Sequence, residues 1–107
     1  MPALGEFELL VLLAALRLGE HAHPVSMVKE IHERAGRVVQ RAAVYVTLQR
    51  LEDKGLVASW LGNPSAERGG KARRHVRVTR DGKAAVREAR AALQSMWAGL
   101  GRELEGL

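Results

Sequence analysis

The 107-residue sequence predicts a mainly α-helical fold with one small β-hairpin, in the α+β class. Apolar residues recur at helical spacing in four segments, which is the pattern of amphipathic helices. A further stretch alternates apolar and polar residues with the period of two that is typical of a strand. Only four residues are aromatic, Phe7, Tyr45, Trp60 and Trp97, so leucine, valine and alanine must supply most of the core. That composition favours helices.

The first predicted helix spans residues 3–18 and has two apolar faces. One face suffices for the core of a small domain, so the second indicates contact with another helix or another subunit. Gly19 supplies the stop, as glycine commonly does just after a helix. One face carries Phe7, Leu10, Val11, Ala14 and Leu18, and the other carries Leu9, Leu12, Leu13 and Leu16.

Two short helices follow, and each is closed by a glycine. The second helix spans residues 25–35, with Val28 and Ile31 facing inward. The third spans residues 41–54, and its buried stripe has the i, i+4 and i+7 spacing. This stripe consists of Val44, Leu48 and Leu51. Two short helices joined by a few residues form a helix-turn-helix.

A β-hairpin is predicted directly after the third helix. Residues 56–61 are rich in strand formers, residues 62–70 form a turn-rich tip, and residues 73–79 alternate. The alternation places Val76 and Val78 on one face and His75, Arg77 and Thr79 on the other. A hairpin in this position is a wing, so the sequence predicts a winged helix-turn-helix over residues 1–79.

The last predicted helix starts after Thr79, a good N-cap residue, and runs to about residue 99 or beyond. Its apolar stripe is longer than a domain of this size covers, so residues 80–107 are expected to form a dimerisation helix within the same compact unit. The predicted dimer interface consists of Phe7, Leu10, Val86, Leu93, Met96, Trp97 and Leu100.

Positive charge is concentrated in the wing. The formal net charge is +5, and the stretch from Arg68 to Lys83 holds seven lysines and arginines against one acid, Asp81. A local basic excess of this kind is the electrostatic footprint of nucleic-acid binding, although an acidic protein or an anionic lipid also attracts it. The predicted phosphate contacts are Arg68, Lys71, Arg73, Arg74 and Arg77.

The outward face of the third helix is the candidate for base recognition, because an α-helix fits the major groove. Gln49 suits adenine, Arg41 a guanine or a phosphate, and the Tyr45 hydroxyl a phosphate oxygen. Ala42 or Val46 suits a thymine methyl group. The alternative is an ordinary solvated helix face. The full predicted set is Gln40, Arg41, Ala42, Tyr45, Val46, Gln49 and Arg50.

Other functional classes find little support in the sequence. The absence of cysteine excludes disulfides, thiolate metal sites and cysteine nucleophiles, and a reducing cytoplasm is the expected location. No targeting signal or membrane span is predicted. His21 and His23 lack a third ligand at fixed spacing, so no metal is expected. No phosphate-binding glycine loop or Ser, His and acid set is recognisable, so we expect neither a cofactor nor an enzyme.

Two alternatives concern partners. A winged helix can bind another protein without recognising DNA, but such a module has no need for so basic a wing. Phe7, Trp60 and Trp97 could line a cavity for a small aromatic effector at the dimer interface, although plain packing of these rings is the simpler interpretation.

Two local strings resemble the PadR-like family of bacterial transcriptional regulators. The first is Tyr45, Leu48, Leu51 and Glu52, followed by Gly55, Leu56 and Val57. The second is the run from Arg73 to Thr79, followed by Gly82. The chain departs from the family's pattern at the start of the third helix, where Gln40, Arg41 and Ala42 replace a Ser-Pro-Gly-like string. It also has Val46 where a proline usually follows the tyrosine, and His75 and Val76 where two aromatics are frequent.

The resemblance covers nearly the whole chain and implies a homodimer that binds double-stranded DNA in the absence of an effector. The final helix of each subunit is then expected to pack across the partner's N-terminal helix. A repressor acting on inverted repeats, released by a small molecule, is the function that the resemblance implies. For a two-fold dimer the half-site centres should lie about 34 to 36 Å apart.

Overall fold

The computed structural model describes residues 4–62 and 73–105. It confirms the predicted fold class and the predicted order of elements. Three helices precede one antiparallel hairpin and a fourth follows it. A short fifth helix ends the described chain. The elements are α1 (Glu6–Leu18), a 3-10 turn (Gly19–His21), α2 (Pro24–Ala35), α3 (Arg41–Asp53), β1 (Val57–Leu61), β2 (Arg74–Val78), α4 (Arg80–Trp97) and α5 (Gly101–Leu104).

One hydrophobic core lies between α1, α2, α3 and the hairpin. The predicted stripe of α3 is confirmed, since Val44, Leu48 and Leu51 are all buried. Two details differ from the prediction. In α2 the fully buried side chain next to Ile31 is Met27, while Val28 is half-buried. In α1 the second apolar face is split, since Leu12 is fully buried whereas Leu13 of the same predicted face is exposed.

The first two helices begin at residues that their capping chemistry explains. α1 starts at Glu6, later than predicted, because Gly5 is extended and donates its N–H to the Glu8 carboxylate at 2.9 Å. α2 starts with Pro24, whose missing N–H costs nothing at the first helical position. His23 caps α2: its N–H donates to Ser26 Oγ at 3.1 Å, and its Nδ1 accepts from Ser26 N at 3.3 Å.

The hairpin has one buried and one open face. Its register runs from Val57 opposite Val78 to Leu61 opposite Arg74. The predicted inward direction of Val76 and Val78 is confirmed, because both are buried. The N–H of Val76 also donates to the carbonyl of Ala22 at 3.1 Å, which ties β2 to the segment between α1 and α2.

Thr79 joins the hairpin to α4, as predicted. Its hydroxyl donates to the Gly55 carbonyl at 2.7 Å and accepts from Gly82 N at 3.1 Å, which caps α4. Gly82 is buried against the backbone of Leu56, and a β-carbon placed on it would lie 2.1 Å from the Leu56 carbonyl oxygen. The Thr-x-x-Gly string is therefore a junction at which the new helix starts in direct contact with the chain before β1.

Only the first turns of α4 pack on the domain. Gly82 and Ala85 are its buried residues, and Val86 packs against the core. The helix ends at Trp97, slightly before the predicted end. Gly99 has φ +83°, a conformation that does not continue an α-helix. Every residue from position 90 to position 105 is exposed. The helix thus projects from the domain, and the longest dimension of the chain reaches 54 Å.

Candidate nucleic-acid interface

The outward face of α3 is open to solvent in the subunit. All six predicted contacts on the helix are exposed, with Tyr45 and Val46 at 44% and 53%. They share this face because the side chains of Val44, Leu48 and Leu51 occupy the opposite one. The seventh, Gln40, is the exposed N-cap residue with an extended backbone. The structure therefore brings together Gln40, Arg41, Ala42, Tyr45, Val46, Gln49 and Arg50 at one surface.

The two cations of this face are available to a ligand. Among the described residues, neither Arg41 nor Arg50 forms an ion pair with a carboxylate or a side-chain hydrogen bond. Gln49 donates one hydrogen bond to Asp53 Oδ1 at 3.0 Å. An amide nitrogen has two protons and the amide oxygen two lone pairs, so Gln49 keeps the capacity to bond a base edge.

The turn before α3 is held by contacts that the sequence analysis missed. Arg37 forms an ion pair with Glu6 and lies over the Phe7 ring, 5.5 Å from its centroid. The ring itself packs against the core. Phe7, predicted for the dimer interface, is therefore partly engaged within its own subunit. Beside Arg37, the side chain of Val38 is 83% exposed.

The other end of α3 is anchored to α1 by Glu8. Its carboxylate accepts from Lys54 Nζ at 2.7 Å and from the N–H of Gly5. The Lys54 hydrogen bond, followed by the Gly5 bond, holds the pKa of the Glu8 carboxyl below its ordinary value. The side chain of Glu8 is only 13% exposed, whereas that of Lys54 is 34% exposed, so only the carboxylate is shielded from solvent. Both ends of α3 are thus fixed to α1.

Four of the five predicted wing contacts fall into two groups, and Arg74 differs from both. Arg68 and Lys71 lie outside the described residues. Arg73 precedes β2, and Arg77 is exposed on the outer face of the hairpin. Among the described residues neither of these two arginines forms an ion pair. The exposed Arg80 and Lys83 extend the same positive surface into the first turn of α4.

Arg74 is the exception among the predicted contacts. Its side chain lies on the inner face of the hairpin, is half-buried, and donates from Nη1 to Ser59 Oγ at 3.0 Å. Ser59 in turn donates from its hydroxyl to Glu52 Oε1 at 2.9 Å and from its N–H to the same oxygen at 3.2 Å. The period of two already places Arg74 on the side of Val76 and Val78, and this signal could have identified it.

A cleft of about 390 Å³ lies between the end of α1, the hairpin and the start of α4. Trp60 and His75 form one wall, with stacked rings whose centroids are 5.7 Å apart. Of the three aromatic side chains predicted to line a cavity together, only Trp60 lines this one; Phe7 and Trp97 do not. The described lining residues are Ala15, Leu16, Gly19, Glu20, Trp60, His75, Val76, Arg77, Val78 and Lys83.

The predicted dimer residues form two exposure classes. Leu10 and Val86 are half-buried, and Val86 packs on the core. Leu93, Met96, Trp97 and Leu100 are 39 to 76% exposed. On α1, Leu13 and Leu16 are also exposed, although they were not among the predicted interface residues. Large apolar groups that remain open in one subunit mark an interaction surface.

Other kinds of site are not formed by the described parts of the chain. Within residues 4–62 and 73–105, no three metal-ligating side chains come together. His21 lies 3.6 Å from a carboxylate oxygen of Glu20, and His23 caps α2. None of the described helices is long and apolar enough to cross a membrane.

Comparison with protein families identifies a match over most of the chain. The model of the PadR-like family of transcriptional regulators matches residues 12–88, which include α2, α3, the hairpin and the first half of α4. No curated protein gives a match.

Several solved structures share the fold. A PadR-family transcriptional regulator from Eggerthella lenta is 31% identical, with a TM-score of 0.70 over 92% of this chain and 83% of that one. A PadR-family regulator from Clostridium difficile is 19% identical, with a TM-score of 0.73 over 94% and 99%. BpsR from Bordetella bronchiseptica, whose DNA binding is regulated by 6-hydroxynicotinic acid, is 27% identical, with a TM-score of 0.62 over 94% and 72%.

Proposed function

The chain belongs to the PadR-like family of transcriptional regulators, and from this membership we propose that it is a sequence-specific DNA-binding repressor. It acts in the cytoplasm as a homodimer on inverted-repeat operators. The observation that carries the proposal is the face of α3, where Arg41 and Arg50 lie exposed and without ion pairs among the described residues, beside a wing rich in cations. A helix with such a face fits the major groove.

The proposed contacts follow from the exposed groups of α3. Arg41 bonds a guanine or a phosphate, and Gln49 bonds adenine while keeping its second amide proton on Asp53. The methyl groups of Val46 or the β-carbon of Ala42 touch a thymine methyl, and the Tyr45 hydroxyl bonds a phosphate. Gln40 and Arg50 flank these contacts at the two ends of the face.

The wing supplies the phosphate contacts. Arg73 and Arg77, together with Arg68 and Lys71 from the sequence between the two strands, neutralise backbone charge on the same duplex. Three to four phosphates per subunit predict a log-log slope of affinity against salt of roughly −5 to −7 for a dimer. A titration of an operator fragment at several salt concentrations measures that slope, and a flat response contradicts the phosphate assignment.

Residues 80–107 form the dimerisation region, continuous with the winged domain of residues 1–79. The exposed apolar stripe of α4 supports this assignment, because the subunit offers it no cover. A two-fold dimer then requires half-sites whose centres lie about one helical turn, roughly 34 to 36 Å, apart.

Sequencing of genomic fragments that the protein retains tests the whole proposal, since it shows whether the retained sites are inverted repeats. Arg41→Ala is the informative variant, and Arg102→Ala is the matched control, because Arg102 is also an exposed arginine and is not among the proposed DNA or dimer contacts. We expect only the first to lose affinity, by about 1–3 kcal/mol. A native protein that binds neither heparin nor its own promoter instead favours a winged helix that binds protein.

The cleft at Trp60 supports a second element of the proposal, release from DNA by a small aromatic effector. The cleft touches the wing through Arg77 and α4 through Lys83, so a ligand there contacts both the DNA-binding and the dimerisation regions. In a Trp97→Phe variant Trp60 is the only tryptophan, and its fluorescence should change when an effector binds and DNA is released. A ligand that releases DNA without altering Trp60 emission contradicts the site.

A further inference from the structure

Three polar side chains connect the end of the recognition helix to both strands of the wing. Glu52 lies in the last turn of α3, Ser59 in β1 and Arg74 in β2. One oxygen of Glu52 accepts from both the N–H and the hydroxyl of Ser59, at 3.2 and 2.9 Å. The hydroxyl oxygen of Ser59 accepts from Arg74 Nη1 at 3.0 Å. We call these three residues the relay.

Ser59 and Arg74 of the relay lie farther from the base of the hairpin than the buried pair of Val57 and Val78. The buried valines pair near its base, where Val57 faces Val78. Ser59 pairs with Val76, and Arg74 belongs to the last pair of the register, with Leu61. Leu61 is 67% exposed, so apolar burial contributes little to this outermost pair. Val76 and its bond to Ala22 hold β2 to the segment between α1 and α2, and the hydrogen bonds of the relay tie the same part of the hairpin to the end of α3.

The chemistry of the relay suits this task. All three residues are half-buried, and both terminal groups are charged. Hydrogen bonds to ionised groups are roughly twice as strong as neutral ones, and partial burial reduces their screening. A two-stranded hairpin alone is marginally stable in water, so the orientation of the wing relative to α3 depends on hydrogen bonds such as these.

We propose that Glu52, acting through Ser59 and Arg74, is a positioning residue that sets the wing at the angle to α3 at which both contact the same DNA duplex. The inference rests on the proposed DNA-binding function. It also changes the role expected for Arg74, whose guanidinium serves the relay and is not a phosphate contact.

The direction of the change in DNA affinity when Glu52 is removed distinguishes a positioning role from a purely electrostatic one. Removing the negative charge of Glu52 beside a polyanion favours binding if only charge matters. Removing a positioning residue weakens binding, because the wing no longer reaches its phosphates. The two roles therefore predict opposite changes in affinity for Glu52→Ala.

The test compares Glu52→Ala with Glu52→Gln and Ser59→Ala with Ser59→Thr on one operator fragment. We expect each alanine variant to bind roughly tenfold more weakly per half-site, and so roughly 100-fold more weakly as a dimer, as for the loss of one charge-assisted contact per subunit. The salt slope should fall by about 1.8, for two phosphates per dimer. Glu52→Gln keeps an acceptor oxygen and Ser59→Thr keeps the hydroxyl, so both should recover most of the affinity. Thermal unfolding shows whether every variant is folded at the assay temperature.

A double-mutant cycle gives a readout that stability alone does not move. Arg73→Gln should weaken binding in the native background and have little effect in Glu52→Ala, because a displaced wing has no contact left to lose. In addition, Arg74→Gln and Ser59→Ala should act alike. Additive effects of Arg73→Gln and Glu52→Ala overturn the inference.

The outcomes distinguish a failure of the relay hypothesis from a failure of the proposed DNA-binding function. A native protein that binds no DNA overturns both. A native protein that binds DNA, with Glu52→Ala equal or tighter and with an unchanged salt slope, overturns the positioning role alone.

Discussion

The winged domain and the outer half of α4 are both rich in apolar side chains, yet they differ in how those side chains are covered. In the winged domain, Leu12, Met27 and Leu51 are completely buried by neighbouring elements of the same chain. In the outer half of α4, Met96 and Trp97 are 76% and 59% exposed. The winged domain thus completes its core within the subunit, whereas the outer half of α4 leaves its large apolar side chains open to solvent.

The largest expected effect comes from breaking the second region. Replacing both Leu93 and Trp97 by aspartate puts charge into the apolar stripe of α4, so we expect a folded monomer in sedimentation experiments. Loss of the second half-site contact then lowers operator affinity by roughly 100-fold or more. Gln94→Asp is the matched control, because it adds a charge to the same exposed turn outside the stripe. A double variant that still sediments as a dimer contradicts the assigned interface.

Breaking the first region acts on a different quantity, the free energy of unfolding. Leu48 is 2% exposed in the core, so Leu48→Ala should lower the free energy of unfolding by about 2–5 kcal/mol. Val46→Ala, on the exposed face of α3, should change it little. Chemical denaturation at one fixed protein concentration measures both, since dimerisation couples stability to concentration. Equal losses in the two variants contradict the assignment of inner and outer faces.

The junction between the two regions is tested at Gly82. A β-carbon here would lie 2.1 Å from the Leu56 carbonyl oxygen, and relieving this clash requires a shift of the backbone. Overpacking of this kind costs about 1–3 kcal/mol. That exceeds the gain of roughly 0.5–1 kcal/mol that alanine brings to a helix. Gly101→Ala, with nothing within 4 Å, should be neutral or slightly stabilising. Thermal unfolding of the two variants decides, and a stabilised Gly82→Ala rules out the close contact.

The smallest expected effect concerns the anchor of α3 and depends on pH. The folded pKa of Glu8 is lowered, chiefly by Lys54, so its ionised form stabilises the fold at neutral pH. This contribution is complete above the unfolded pKa, about 4.3, and is lost as the pH falls through the lower folded value. Glu8→Gln should remove that part of the acid dependence of stability. Unfolding curves between neutral and acidic pH test this, and parallel curves for both proteins contradict it.

Much of the winged domain could be predicted because its signals are local. The spacing of Val44, Leu48 and Leu51 defined the inner face of α3, and alternation placed Val76 and Val78 inward. Thr79 was identified as a cap from its chemistry and position. Boundaries were less accurate at α1, where the bond between Gly5 and Glu8 delays the helix, and at α4, which stops before Gly99.

The sequence by itself determined the order of elements, the outward face of α3 and the basic character of the wing, since periodicity and charge are properties of short segments. Only the tertiary structure decided which apolar residues of α1 enter the core, because Leu12 is buried and Leu13, on the same predicted face, is exposed. It also turned Arg74 toward Ser59 and placed Arg37 over Phe7. Those outcomes depend on contacts between residues distant in the chain, and a local pattern does not encode which of several apolar or charged groups meets its partner.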